Sequence, residues 1–157
     1  LNTKVETNVM YTSKELISFQ TLITTNFTTA TTQKRQLTTL DIKSGEKINL
    51  EDLFWLDKEN AKELVNDSYK MYKYRQKIFA SKIFSWLQEL YPTRMNTDSC
   101  GINKAETWAL PTWCLINKGL ALSFQIFDTC DPLSWAIIPY TKLAPYTEKK
   151  YRLNSKK

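Results

Sequence analysis

Directly after Asn117-Lys118-Gly119, the residues Leu120, Leu122, Phe124 and Ile126 alternate with Ala121, Ser123 and Gln125. A period of two is the mark of a β-strand with one face against a core. An Asn- and Gly-containing loop ahead of it reads as the turn of an antiparallel hairpin. Treating Asn117-Lys118-Gly119 as the loop sets Ile116 opposite Leu120, Cys114 opposite Leu122 and Leu110 opposite Ile126. Because a strand alternates its side chains, that register predicts one apolar face, extended by Trp108, with Trp113 on the opposite side. Trp135 to Tyr140 is apolar on both parities, which predicts a further strand interior to the sheet, closed by Pro139.

The first forty residues carry the same period. Ile17, Phe19, Ile23 and Phe27 share one parity, and Gln20, Thr24 and Asn26 the other, so a half-buried strand is expected there. Val5, Val9 and Tyr11 predict a strand before it, and Leu37 to Ile42 one after. Nine threonines fall between Thr21 and Thr39; their irregular spacing fits a good strand former rather than an ordered threonine array. Asp41 to Glu46 has turn chemistry, with Gly45 available for positive φ.

The middle changes period. Leu50-Glu51-Asp52-Leu53-Phe54 reads as a short helical turn. From Glu59 to Tyr91, apolar residues recur every three or four positions: Ala61, Leu64, Val65, Tyr69 and Tyr72, then Phe79, Ile83, Trp86, Leu87 and Leu90. Such a stripe packs one helix face on a sheet. It thins between Tyr74 and Lys77, where a break is expected, and Pro92 stops it. The fold class that follows is α+β: an antiparallel sheet with a helical segment on one face.

At 157 residues the chain fits one domain with a substantial core. A single domain over 1–146 and a basic tail over 147–157 are expected. The net charge of +6 is concentrated at the end. From Lys142 onward six basic residues face one acid, Glu148, leaving about +1 on the rest. No glycine-rich loop, zinc spacing or RNA-binding aromatic motif accompanies that charge, so no nucleic-acid partner is expected. No apolar run reaches the roughly 20 residues of a membrane span. The chain begins at Leu1, as a processed or trimmed product would.

Histidine is absent, which removes the usual general base and metal ligand. Three widely spaced cysteines do not form a zinc site. No catalytic, cofactor or metal residue is assigned. The hairpin register places Cys114 mid-strand as a buried thiol. It brings Cys100 and Cys130 close enough to bridge, which implies an oxidising compartment. The same register sets Glu106 near Asp128 and Asp131, the one carboxylate grouping that suits glycoside hydrolysis. Trp113, set off the apolar face, together with Arg94 and the loop from Thr93 to Thr107, is the candidate ligand surface; a second packed layer accounts for Trp113 equally well.

Two stretches resemble a known family. Ser44 to Phe54 (SGEKINLEDLF) is similar to the turn of the bacterial extracytoplasmic DUF3298 domain, commonly found beside a DUF4163 segment. Asn117-Lys118-Gly119-Leu120 through Phe124, followed by Ile138-Pro139-Tyr140-Thr141-Lys142-Leu143, resembles that family's strand and its ending. The family often carries a Gly-Gly-Ala-His-like segment after its early strands, whereas Thr28 to Gln33 has neither glycine nor histidine. Relatives include the ectodomain of a lysozyme-sensing anti-sigma factor and the accessory region of cell-wall deacetylases. The resemblance implies a non-catalytic, extracytoplasmic binding or sensory module at the cell envelope. Its expected ligand is a cell-wall glycan or a secreted protein such as lysozyme, with no cofactor. The alternative is a carboxylate-based cell-wall hydrolase.

Overall fold

The computed structural model describes residues 1–57, 67–96, 101–123, 136–148, 150, 151 and 153. It is an α+β fold, and among the described residues it has two three-stranded antiparallel sheets. The first sheet is a meander of β1 (Asn2–Thr12), β2 (Leu16–Asn26) and β3 (Thr31–Asp41), in that order. Ser13 makes the first turn tight: its hydroxyl accepts the Glu15 and Leu16 amides, at 3.2 and 3.0 Å. The second turn is closed by the Phe27 amide donating to the Ala30 carbonyl at 2.7 Å.

The inward face of this sheet is not the one its apolar parity predicts. Leu16 and Ser18 are buried, whereas Ile17, Phe19 and Ile23 lie on the other side and are only partly covered. The reason is a satisfied polar contact. Ser18 Oγ lies 2.6 Å from Thr39 Oγ1 and accepts the Leu115 amide at 3.2 Å, so a buried hydroxyl pair joins the two sheets without an orphaned group. Tyr11 completes the contact, its ring centroid 6.3 Å from that of Tyr140.

The second sheet contains β4 (Thr112–Ile116), β5 (Gly119–Ser123) and β6 (Ala136–Pro139), in that order. Its hairpin corrects the expected register by one residue. Ile116 faces Gly119, Leu115 faces Leu120, Cys114 faces Ala121 and Trp113 faces Leu122. The turn is therefore Asn117-Lys118 alone. Gly119 belongs to the strand because β6 passes so close that a Cβ there would sit 2.1 Å from the Ile138 carbonyl oxygen. Trp113 consequently shares a face with Leu115, Leu120 and Leu122 rather than opposing it, and packs partly buried against the core. Leu110, expected on that face, is 69% exposed. Among the described residues, strand β6 is at the end of the sheet order rather than inside it. Its outer edge is covered at Ile137, whose amide and carbonyl both pair with the Tyr91 hydroxyl, at 3.0 and 3.1 Å.

Helix α1 (Leu50–Leu53) starts with a capping box in which the Asn49 amide donates to Asp52 at 2.8 Å. Helix α2 (Ser68–Tyr74) is capped by Asp67, which accepts the Tyr69 and Lys70 amides. A π-helical turn (Arg75–Phe79) follows, then α3 (Ala80–Leu90). The π turn occupies the place where the apolar stripe thins. Seven residues separate Tyr72 from Phe79, about two regular α turns, so an unbroken helix would put both on one face. The wider turn rotates the preceding segment. Tyr74 points into the core, 6.4 Å from Phe79 between ring centroids, and Tyr69 and Tyr72, expected in the buried stripe, stand exposed. Beyond it Phe79, Ile83, Trp86 and Leu87 are buried as the stripe predicts. Pro92 ends α3 and opens the single turn α4 (Pro92–Met95).

Within the segment expected as a solvated tail from residue 147, the described residues Thr147, Glu148, Tyr151 and Leu153 are held against the body. After α5 (Tyr140–Leu143) and a 3-10 turn (Ala144–Tyr146), Thr147 pairs with Phe54 and the Glu148 amide donates to Leu53 at 2.7 Å. Tyr151 and Leu153 are both in the core. The Tyr151 hydroxyl donates to Asp41 at 2.9 Å, and Lys150 lies 3.4 Å from the same carboxylate. Lysine and arginine between apolar anchors gave the stretch a tail-like composition, but two large apolar side chains and one paired acid hold it down. Among the described residues no helix is long and apolar enough to cross a membrane.

Candidate functional site

A groove of about 490 Å³ opens where α1, α2 and the π turn meet. Its floor is an ion pair. Arg75 Nη2 donates to Glu51 Oε2 at 3.0 Å and Nε lies 2.5 Å from Oε1, an ion pair with one hydrogen bond and both side chains mostly buried. Nη1 reaches the Ala109 carbonyl at 3.3 Å, tying the helical layer to the loop before β4. Two of the guanidinium's five donors, on Nη1 and Nη2, are thereby used among the described residues. The walls combine Trp55, Met71, Tyr72 and Leu110 with Asn49 and Asp52.

The π turn explains why aromatic groups stand here. By turning Tyr74 inward it leaves Tyr72 55% exposed at the rim, beside Leu110 of the loop before β4, 69% exposed. Trp55 is buried behind them, 5.2 Å from Tyr74 between ring centroids. Burial raises the Tyr74 phenol above its ordinary pKa, so it stays protonated while its oxygen accepts the Leu56 amide at 3.2 Å. A second groove of about 400 Å³ runs along the next face of the helical layer, between Leu56, Ile78, Lys82 and Tyr146.

The residues singled out from sequence are dispersed. Arg94 lies in α4 with its guanidinium 5.7 Å from the ring centroid of Tyr91, the tyrosine that covers β6. Trp113 is on β4, partly buried against the core. Glu106 is exposed in a 3-10 turn (Ala105–Trp108). Its expected companions Asp128 and Asp131 lie outside the described residues, as do both members of the Cys100–Cys130 pair. Cys114 is buried, and desolvation pushes its thiol up to about 11. Trp108 is buried, its indole donating to the Ile102 carbonyl at 3.0 Å. No cluster of three or more metal-ligating side chains occurs among the described residues.

Groove residues escaped the sequence reading because Tyr69 and Tyr72 fit the core stripe. The signal available was the five-residue step from Tyr74 to Phe79, which a regular helix cannot place on one face.

Strand meander, helical layer and closing hairpin together define an α+β domain whose groove lies on its helical side. The fold is similar to the crystal structure of a DUF3298 family protein from Pseudomonas aeruginosa PAO1, with a TM-score of 0.50 and 12% identity. The match covers 94% of this chain and 62% of that one, so the chain spans about three fifths of the solved protein's length. At that identity the likeness concerns the fold. No protein-family model and no curated protein sequence matches the chain.

Proposed function

We propose that this chain is a non-catalytic, extracytoplasmic binding or sensory module at the bacterial envelope, and that the groove beside Tyr72 seats a cell-wall glycan. The observation that carries this reading is the groove's composition. Exposed Tyr72 offers a flat apolar surface to sugar C–H groups, while Asn49 and the Glu51–Arg75 pair offer hydrogen bonds to sugar hydroxyls. Its carboxylates favour binding over catalysis. Glu51 is held in an ion pair with Arg75 and Asp52 caps its own helix, so neither is placed to shuttle a proton. The likeness to a bacterial DUF3298 protein is consistent with this setting.

The test is calorimetric titration of the protein with soluble peptidoglycan fragments. Wild type should bind, and Tyr72→Ala should weaken binding about tenfold, the loss expected for an aromatic anchor. Because Tyr72 is more than half exposed, its melting temperature should stay unchanged. Equal affinity in the two proteins rejects the groove. Retention on immobilised lysozyme without glycan binding moves the ligand to a secreted protein. Turnover of the fragments that disappears in Glu106→Gln replaces the module with a hydrolase.

A further inference from the structure

The outward face of the β1-β2-β3 meander repeats its chemistry in both directions along the strands. Its central row is Thr7–Thr21–Gln36, with the two threonine hydroxyls 3.1 Å apart. On one side lies the row Val5–Ile23–Lys34, and on the other Val9–Phe19–Thr38. Val5 and Val9 are 60% and 62% exposed, unusual for β-branched residues near the middle of a strand. The charges Lys4, Glu6 and Arg35 fall on the opposite face, because adjacent residues on a strand alternate sides.

We propose that this face docks against the same face of a second copy of the chain. A two-fold axis lying between the sheets, parallel to the Thr7–Thr21–Gln36 row, lays each copy's threonine row on its partner's. The same axis lays the Val5–Ile23 row of one copy on the Val9–Phe19 row of the other, apolar on apolar. Lys34 then faces the partner's Thr38, so the one charge in these rows never meets its own image. A closed two-fold interface must be self-complementary in this way. The area suffices. Three strands of 11 residues, about 4.8 Å apart and rising about 3.4 Å per residue, present roughly 500 Å² each. Two such faces reach about 1,000 Å², the lower bound of a specific interface.

Sedimentation equilibrium on the intact chain across a wide concentration range tests the proposal. Wild type should show a monomer–dimer equilibrium. V5K alone and V9E alone should each raise the dissociation constant about tenfold or more, by placing an unpaired charge in an apolar contact. The double variant V5K/V9E should return it to within about threefold of wild type, since the new charges meet across the axis with opposite sign. Both sites are exposed, so circular dichroism should show all variants folded. A wild type that stays monomeric throughout overturns the proposal. So does a dimer indifferent to V5K, or single losses that the double variant fails to repair.

Discussion

Replacing Gly119 by alanine tests the hairpin register through a single methyl group. Gly119 is the first residue of β5 and faces Pro139 on β6. An added Cβ would lie 2.1 Å from the Ile138 carbonyl oxygen, 2.8 Å from its carbon and 3.0 Å from Pro139 Cα. All three obstacles are backbone, so no side-chain rotation relieves them, and β6 must retreat by about 1 Å or more to regain a normal contact. Overpacking of a well-filled interior costs about 1–3 kcal/mol, and the retreat also weakens the short β5–β6 ladder. We expect a loss of about 3 kcal/mol. At about 2–4 °C per kcal/mol for a chain of this size, the melting temperature should fall by about 6–12 °C. Gly45→Ala is the control. Gly45 has φ +74° with nothing within 4 Å of the added carbon, so only the left-handed backbone opposes it, at about 1–2 kcal/mol. Urea denaturation of the two variants beside wild type measures the difference. Equal losses, or a Gly119→Ala loss below about 1 kcal/mol, would refute the two-residue turn and return Gly119 to the loop.

Acid should reveal the anchor of the C-terminal segment. Hydrogen bonds from the Ser44 amide, the Tyr151 hydroxyl and the Lys43 amide, with Lys150 nearby, hold the Asp41 carboxyl at about 2, below its ordinary 3.8. A depressed carboxylate stabilises the fold fully above about pH 4 and loses that contribution as pH falls toward 2. Asp41→Asn should therefore lower stability at neutral pH and flatten the pH dependence between 4 and 2 in acid titrations followed by fluorescence; an unaltered slope would show that Asp41 does not carry it. Trp113→Ala should destabilise the chain by about 2 kcal/mol, short of a fully buried tryptophan because the ring is only partly covered. A loss under about 0.5 kcal/mol in thermal unfolding would contradict its packed position.

Local periodicity was enough to place the strands, the α1 turn, the stop at Pro92 and the α+β class. What it could not supply were contacts made at long range. Ser18 looks like an outward residue until Thr39 and the Leu115 amide, 97 positions away, satisfy its hydroxyl. Gly119 looks like a loop glycine until β6 crosses it. Tyr69 and Tyr72 fit the buried stripe because a pattern-matching eye assumes regular helical turns, and a π turn shifts every residue before it. The candidate site was less legible still. Its residues come from α1 and the residues flanking it, α2, the π turn and Leu110, segments that Arg75 ties together by bridging Glu51 and Ala109. Trp113 was chosen from a register displaced by one residue, and a slip of one exchanges the two faces of a strand; Arg94 was set beside it only through the loop from Thr93 to Thr107.

The contact between Tyr151 and Asp41 spans 110 positions, and this has a consequence for the order in which the molecule is made. The strands of the meander ending at Asp41 pair with one another, so its ladders can form early in synthesis. Its anchor arrives 110 residues later. At about 5–20 residues per second, on the order of 5–20 s separates the two residues on the ribosome. Through that interval Asp41 must rely on the Lys43 and Ser44 amides alone, and the apolar slots for Tyr151 and Leu153 stay open. A nascent chain halted before Tyr151 should present those slots to chaperones and proteases, although nearly all of its secondary structure has already been synthesised.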